Sequence, residues 1–235
     1  GASAEAQNSL CTVDYARWMH AEKAQIEQLR RSAAGWLAGL QDRPLVSIVG
    51  GVPASPTMLR ALLESVLVQI YPHWELCVDS DPAMPAAARE MLQAYHARDQ
   101  RIQMLNGHGS RASSVPGTSV QVHGDCIVFV GPDGVLAPHA LMRMVQVLQE
   151  RTDVDALYSD EDKIDAAGAR CLPLFKPDWS PVLAWSQNYV GSLLCVRGAT
   201  LNRIGGLRDG LQGSQLYDLV LRLAADGARF HHLAC

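Results

Sequence analysis

Apolar residues recur at helical spacing from Tyr15 to Leu40 (Tyr15, Trp18, Met19, Ile26, Leu29, Ala33, Trp36, Leu37, Leu40). This predicts an amphipathic helix or a pair of helices. The stripe breaks at Glu22-Lys23, where an apolar residue is due, and Asp42-Arg43-Pro44 ends it. The period then changes. Short continuous apolar runs at Leu45–Val49, Trp74–Val78 and Cys126–Val130 read as buried strands, with shorter ones at Arg101–Leu105 and Ala156–Tyr158. Helical patterns fall between them, from Pro56 to about Ile70, at Ala86–Ala97 and at Pro138–Glu150. Strands alternating with helices at this spacing predict a parallel, doubly wound α/β sheet with right-handed connections. Ser159 to Lys163 reads as an acidic turn, and Ala166 to Ser180 as loop. Gly191–Val196 predicts a strand, and Ala199–Ile204 and Ser214–Ala225 predict helices. With no repeat and no linker, the expectation is an N-terminal helical extension, residues 1–42, ahead of one domain, residues 43–235.

Composition narrows the class. Of the 235 residues 48% are hydrophobic, enough for a sizeable core. With a net charge of -4 and no basic run, nothing points to nucleic acid, and none is expected as a partner. No apolar run approaches the roughly 20 residues of a transmembrane helix. The six cysteines form no Cys-x-x-Cys pair, and Cys77, Cys126 and Cys195 sit in apolar runs as small hydrophobes. This pattern leads us to expect a reducing, cytoplasmic setting. The eight histidines show no metal-binding pattern and no glycine cluster makes a phosphate loop.

Candidate chemistry collects at strand ends, where α/β proteins bind ligands. The Cys126–Val130 run empties into Gly131-Pro132-Asp133-Gly134, with one carboxylate, Asp133, that reads either as a metal ligand or as a turn residue. The Trp74–Val78 run ends in Asp79-Ser80-Asp81-Pro82, whose carboxylates read as ribose or base ligands or as caps of the next helix. Asp160, Glu161, Asp162 and Lys163 crowd a third strand end. Lys176, Asp178 and Trp179 lie in an aromatic, charged loop, and Gln187-Asn188 follow. Such planar polar and aromatic groups suit a sugar; they equally suit loop pinning and core packing.

A series of segments resembles the family 2 glycosyltransferases, and within them the bacterial O-antigen and rhamnan polysaccharide enzymes. These are RPLVSIV at 43–49, ESVLVQIYPHWELCV at 64–78, GVLAPHAL at 134–141, LYSDEDKID at 157–165, PLFKPDWSP at 173–181, SQNYVG at 186–191 and IGGLRDGLQGSQLYDLVLRLA at 204–224, with YARW at 15–18 ahead of them. The resemblance implies a Rossmann-like nucleotide-diphosphosugar transferase fold of the A type, a central, mostly parallel sheet with flanking helices and a mixed acceptor-side half. It implies a nucleotide-sugar donor, a glycan acceptor and Mg²⁺ or Mn²⁺. It also implies that the family continues past Cys235 into a further strand and a His-containing segment, so the domain is expected to be C-terminally truncated and to belong to a larger polysaccharide-synthesis protein, itself cytoplasmic or peripheral to the inner membrane.

Site by site, the chain departs from that family. The polar turn after the first strand is Gly50-Gly51-Val52-Pro53-Ala54, without a side-chain donor. Ser80-Asp81-Pro82-Ala83 stands for Asp-Asp-Gly-Ser, leaving Asp79 and Asp81 as donor ligands. A family Asn aligns with Ser114 or Pro116. The metal motif Asp-x-Asp-Asp aligns with Gly131-Pro132-Asp133-Gly134. In Gly-Ser-Gln-Asp-Tyr-Asp-Leu the catalytic base is the first Asp, and Leu216 holds its place between Gln215 and Tyr217. Asp218 lies two residues on, roughly 200° around a helix. A general base contributes about 10²–10⁴-fold, and a metal several kcal/mol of charge stabilisation. The expectation is therefore an impaired or inactive transferase domain that binds glycan or scaffolds. The alternative is an active inverting enzyme.

Overall fold

The computed structural model describes residues 2–51, 55–80, 84–106, 122, 124–165, 167–208, 211 and 213–234, without the side chains of residues 2–14, 79, 80, 105 and 106. The chain opens with one helix, α1 (Ala2–Gly39). Then follow β1 (Val46–Gly50), α2 (Pro56–Leu67), β2 (Trp74–Ser80), α3 (Ala86–Arg98), β3 (Ile102–Asn106), β4 (Cys126–Val130), α4 (Ala140–Glu150) and β5 (Ala156–Ser159). The second half holds β6 (Glu161–Ile164), β7 (Arg170–Leu174), α5 (Pro181–Ser186), β8 (Leu193–Arg197), α6 (Gly198–Arg203), α7 (Gln215–Ala225) and β9 (Phe230–Leu233).

The seven-stranded sheet runs β3-β2-β1-β4-β8-β5-β9. All its pairings are parallel except those of β8, which lies antiparallel between β4 and β5. Because side chains alternate across a strand, the sheet feeds two cores. Val46, Ile48, Val128, Cys195 and Leu233 face a core covered by α1 to α4. Ile127, Phe129, Tyr158, Leu194 and Phe230 face a second one covered by α5 to α7. Strands β1 and β4 are almost wholly buried, which is why they read as unbroken apolar runs. Ser55 caps α2 by accepting from Thr57 N, ahead of Pro56 in the first turn.

The acidic turn expected at Ser159–Lys163 is instead the first arm of a hairpin. Its partner β7 lies in the stretch expected to be loop, and the two pair antiparallel with a register shift. Pro173 hid that strand; a two-stranded ribbon tolerates proline because it has free edges.

Helix α1 is fastened at both ends of its visible stripe. Ala33 is buried and Leu29, Trp36 and Leu37 pack on the first core. Farther up, Tyr15 stacks on Trp18 and Trp18 meets Phe175 edge-on. The polar break in the stripe has a partner: Glu22 is buried and accepts from the guanidinium of Arg170 on β7.

Candidate functional site

Strand order reverses between β1 and β4, and a crevice opens at their carboxyl ends. Here lies the turn Gly131–Gly134, closed by Gly134 N donating to Gly131 O at 2.9 Å. Gly131 N in turn donates to Ser192 O at 2.9 Å, carrying the β4–β8 ladder into the turn. Neither glycine has space for a side chain. A Cβ on Gly131 would lie 2.8 Å from Ser192 Cβ, and one on Gly134 would lie 2.5 Å from Val130 Cγ1 and 3.0 Å from Gly131 O. Asp133 is exposed at the tip. Among the described residues no three His, Cys, Asp or Glu side chains gather to hold an ion. One exposed carboxylate does not fit a protein-held divalent metal, which takes hard oxygen ligands in a defined shell. Asp81, Val52–Ala54 and the Ser114–Pro116 loop lie outside the described residues, as does the side chain of Asp79.

The position expected from the resemblance to hold the base is packed. Leu216, in the first turn of α7, packs on the second core. Asp218 is held by Arg222 Nε at 2.8 Å and Arg208 at 3.4 Å. Arg222 also donates to Ile204 O and Gly206 O, so the Asp218 carboxylate steadies the turn before α7. Gln215 begins the helix, half-buried.

The residues expected on the acceptor side are mostly engaged with other groups of the chain. Asp160 accepts from Lys176 N at 2.7 Å and stands 2.8 Å from His232 Nε2. Lys176 is buried, its ammonium donating to Val190 O at 2.7 Å and Glu161 at 3.2 Å. Glu161 also accepts from Ser192 Oγ. Asp162 accepts from Tyr15 and from Arg170 Nε. Burial, and then the bond to Asp162, push the Tyr15 hydroxyl up to about 12. Trp179 stacks on Phe230 with ring centroids 3.7 Å apart and belongs to the second core. Lys163, Asp178, Gln187 and Asn188 are exposed, Asn188 accepting from Gly191 N.

Comparison with known proteins places this geometry. Residues 54–167 match the family described as Glycosyl transferase family 2. The O-antigen biosynthesis protein RfbC of Myxococcus xanthus is 38% identical over 94% of this chain.

The chain belongs to the family 2 glycosyltransferases.

It spans only 17% of that relative, and 24% of the Sinorhizobium fredii protein y4gI, to which it is 35% identical over 87% of its own length. The mannosyltransferase PcManGT of Pyrobaculum calidifontis, solved with GDP-Man and Mn²⁺, superposes with a TM-score of 0.58 at 16% identity. That match covers 88% of this chain and 62% of the other, and it is a likeness of fold, the glycosyltransferase A type.

This glycosyltransferase chain carries one more feature that the sequence pattern did not announce. A cavity of about 1050 Å³ opens between α1, the start of α2, the β4–α4 turn and the β6–β7 hairpin. Asp133 and Lys163 line it, as do His139 and Arg143 on the first turn of α4. His139 is buried and its Nδ1 has no hydrogen-bond partner. Burial holds its imidazole below the ordinary 6.5, against the pull of Glu22. Arg170 closes one wall, bonded to Glu22 and Asp162 and lying over the Trp18 ring. Burial alone would lower its pKa, but the bonds to Glu22 and Asp162 outweigh it and raise it further. At the rim Leu172 adopts φ of 50° while 70% exposed. A left-handed leucine costs about 1–2 kcal/mol. The break at Glu22-Lys23 was the sequence signal nearest to this cavity; what it lacked was the identity of the partner, Arg170, 148 residues away.

Proposed function

We propose that this chain is a non-catalytic family 2 glycosyltransferase domain of bacterial surface polysaccharide biosynthesis, of the O-antigen type. It binds glycan, or holds other domains of a longer protein in place, on the cytoplasmic side. The carrying observation is the missing space at Gly131 and Gly134. Sugar transfer from a nucleotide donor needs the leaving diphosphate neutralised and a proton taken from the acceptor hydroxyl. Two of the three metal-motif carboxylates have been replaced by glycines packed too tightly for a Cβ. The base position holds a leucine on a core, and the nearest carboxylate is shared by two arginines. The RfbC relative supports the polysaccharide setting. We assign glycan contact to the exposed Lys163, Asp178, Gln187 and Asn188, and treat residues 1–42 as an extension fastened onto residues 43–235.

A second reading, an active inverting transferase, draws on Asp133, exposed at the family's metal position, and on the GDP-Man and Mn²⁺ bound by PcManGT. Calorimetric titration with UDP-, GDP- and dTDP-sugars, with and without Mn²⁺, separates the two. The expected result is no metal-dependent binding. Micromolar, Mn²⁺-dependent affinity for any donor would replace the first reading with the second.

A further inference from the structure

The cavity between α1 and the hairpin shares Lys163 with the glycan contacts proposed above and Asp133 with the β4–α4 turn, but the rest of its wall is built from other residues. It lies on the α1–α4 side of the sheet, with Val130, Leu136 and Leu233 of the first core in its wall. Leu216 and Trp179 pack on the opposite side. Five of the eight large apolar side chains exposed on the described surface border it: Val135, Ile164, Leu172, Leu174 and Phe175. Exposed apolar side chains scattered singly are ordinary, but their convergence on one cavity is not. The volume is that of a small-molecule site.

The charges in its wall argue for the kind of occupant. Arg170 is held between Glu22 and Asp162, and Glu161 accepts from Lys176. Asp160, also in the wall, is taken up by Lys176 N and His232 Nε2, and of the rest Arg143 and Lys163 match Asp133 and Asp165 in number. An incoming anion would shed its hydration without gaining a counter-charge, and a cation would meet carboxylates that are already bonded or, at Asp133, held out in solvent. A neutral apolar body loses nothing of that kind. Among the described residues one buried side-chain polar atom lacks a partner, and its residue is in this wall: Nδ1 of His139, which is 6% exposed. A desolvated nitrogen without a partner is costly, and a ligand group that reaches it recovers that cost.

We propose that this cavity binds an uncharged, mainly apolar small molecule carrying one hydrogen-bonding group, its chain or ring against Met58, Ala61 and Leu172 and its polar group at His139. The site does not depend on whether the domain transfers sugar.

The test uses N-phenyl-1-naphthylamine, an uncharged apolar probe with one N–H whose emission rises in an apolar site. Titrated into the whole chain, it gives saturable one-to-one binding that 1-decanol displaces. Decanoate and decylammonium, the same chain with a charge, displace it about tenfold less well. Ala61→Trp, which fills the cavity from α2, abolishes binding. Leu172→Asp, at the exposed rim and clear of both cores, weakens it about fivefold and decides the matter should Ala61→Trp fail to fold. His139→Phe retains probe binding but removes the preference for 1-decanol over 1-chlorodecane. The proposal is overturned by absence of saturable binding in a chain shown folded by circular dichroism. Binding unchanged in Leu172→Asp overturns it too, as does preference for either charged congener or a decanol preference that survives His139→Phe.

Discussion

The β4 end and the β5 end of this sheet both present acidic residues beside the same crevice, and they differ in how those residues are placed. At β4 Asp133 is the one carboxylate of the turn, and the glycines beside it have neighbours where a Cβ would go: Ser192 at Gly131 and Val130 at Gly134. At β5 the carboxylates remain, but Asp160, Glu161 and Asp162 are bonded to Lys176, His232, Ser192, Tyr15 and Arg170. A retained acidic residue is therefore no better a sign of an open site than a lost one. What matters is whether the oxygen has room and no prior partner.

That contrast can be broken most forcefully at Lys176. Its buried ammonium joins Glu161 to the Val190 carbonyl. Lys176→Met should cost about 3 kcal/mol in urea unfolding, at the low end for a buried pair because Glu161 still reaches solvent. A loss below about 1 kcal/mol would mean that the acidic strand end is available rather than structural. At the other end, Gly134→Asp restores a family carboxylate but overpacks the turn, and should cost about 1–3 kcal/mol. Calorimetry should find no Mn²⁺ binding in that variant; Mn²⁺ binding at unchanged stability would show that the lost space is not what prevents a metal site.

A third effect concerns His139, between the two ends. Its folded pKa lies below the ordinary 6.5. Protonation thus favours the unfolded chain, so the contribution is present above about pH 6.5 and is lost as pH falls through the folded value. Urea midpoints at pH 7.5, 6.5 and 5.5 should decline, and His139→Phe should flatten the decline by at most about 1.4 kcal/mol per pH unit. The smallest effect is expected at Asp133. Exposed at the turn tip, it should change stability by no more than about 0.5 kcal/mol as Asp133→Asn, with nucleotide-sugar titrations unaltered. A loss of donor binding there would give the turn back its metal.

Much of the first half of the fold was readable because its strands are buried on both faces. Cys126–Val130 announces itself as a strand with no help from its neighbours. The β6–β7 hairpin was not readable, because its stability comes from pairing across a loop and from Arg170 reaching back to Glu22, 148 residues away. The antiparallel placement of β8 is equally invisible in its own apolar run. At the site, the expectation that Leu216 stands where the family has its base rests on the sequence, and the structure adds that this leucine packs on the second core. The occupation of Asp218 by Arg208 and Arg222 was half legible, the second being a helical i,i+4 neighbour. The stacking of Trp179 on Phe230 depends on a strand 51 positions later and could not be inferred locally.

The hydrogen bond from Gly131 N to Ser192 O has a consequence for how such a domain could change over generations. Because β8 runs antiparallel to β4, its first residues stand beside the last residues of β4, and Ser192 fills the space an aspartate at 131 would need. A single Gly131→Asp change therefore meets an obstacle from another strand. Recovery requires a paired step, Gly131→Asp together with Ser192→Gly, and the second change also removes a hydrogen bond from Glu161. A carboxylate at 131 is therefore coupled through Ser192 to the acidic end of the hairpin.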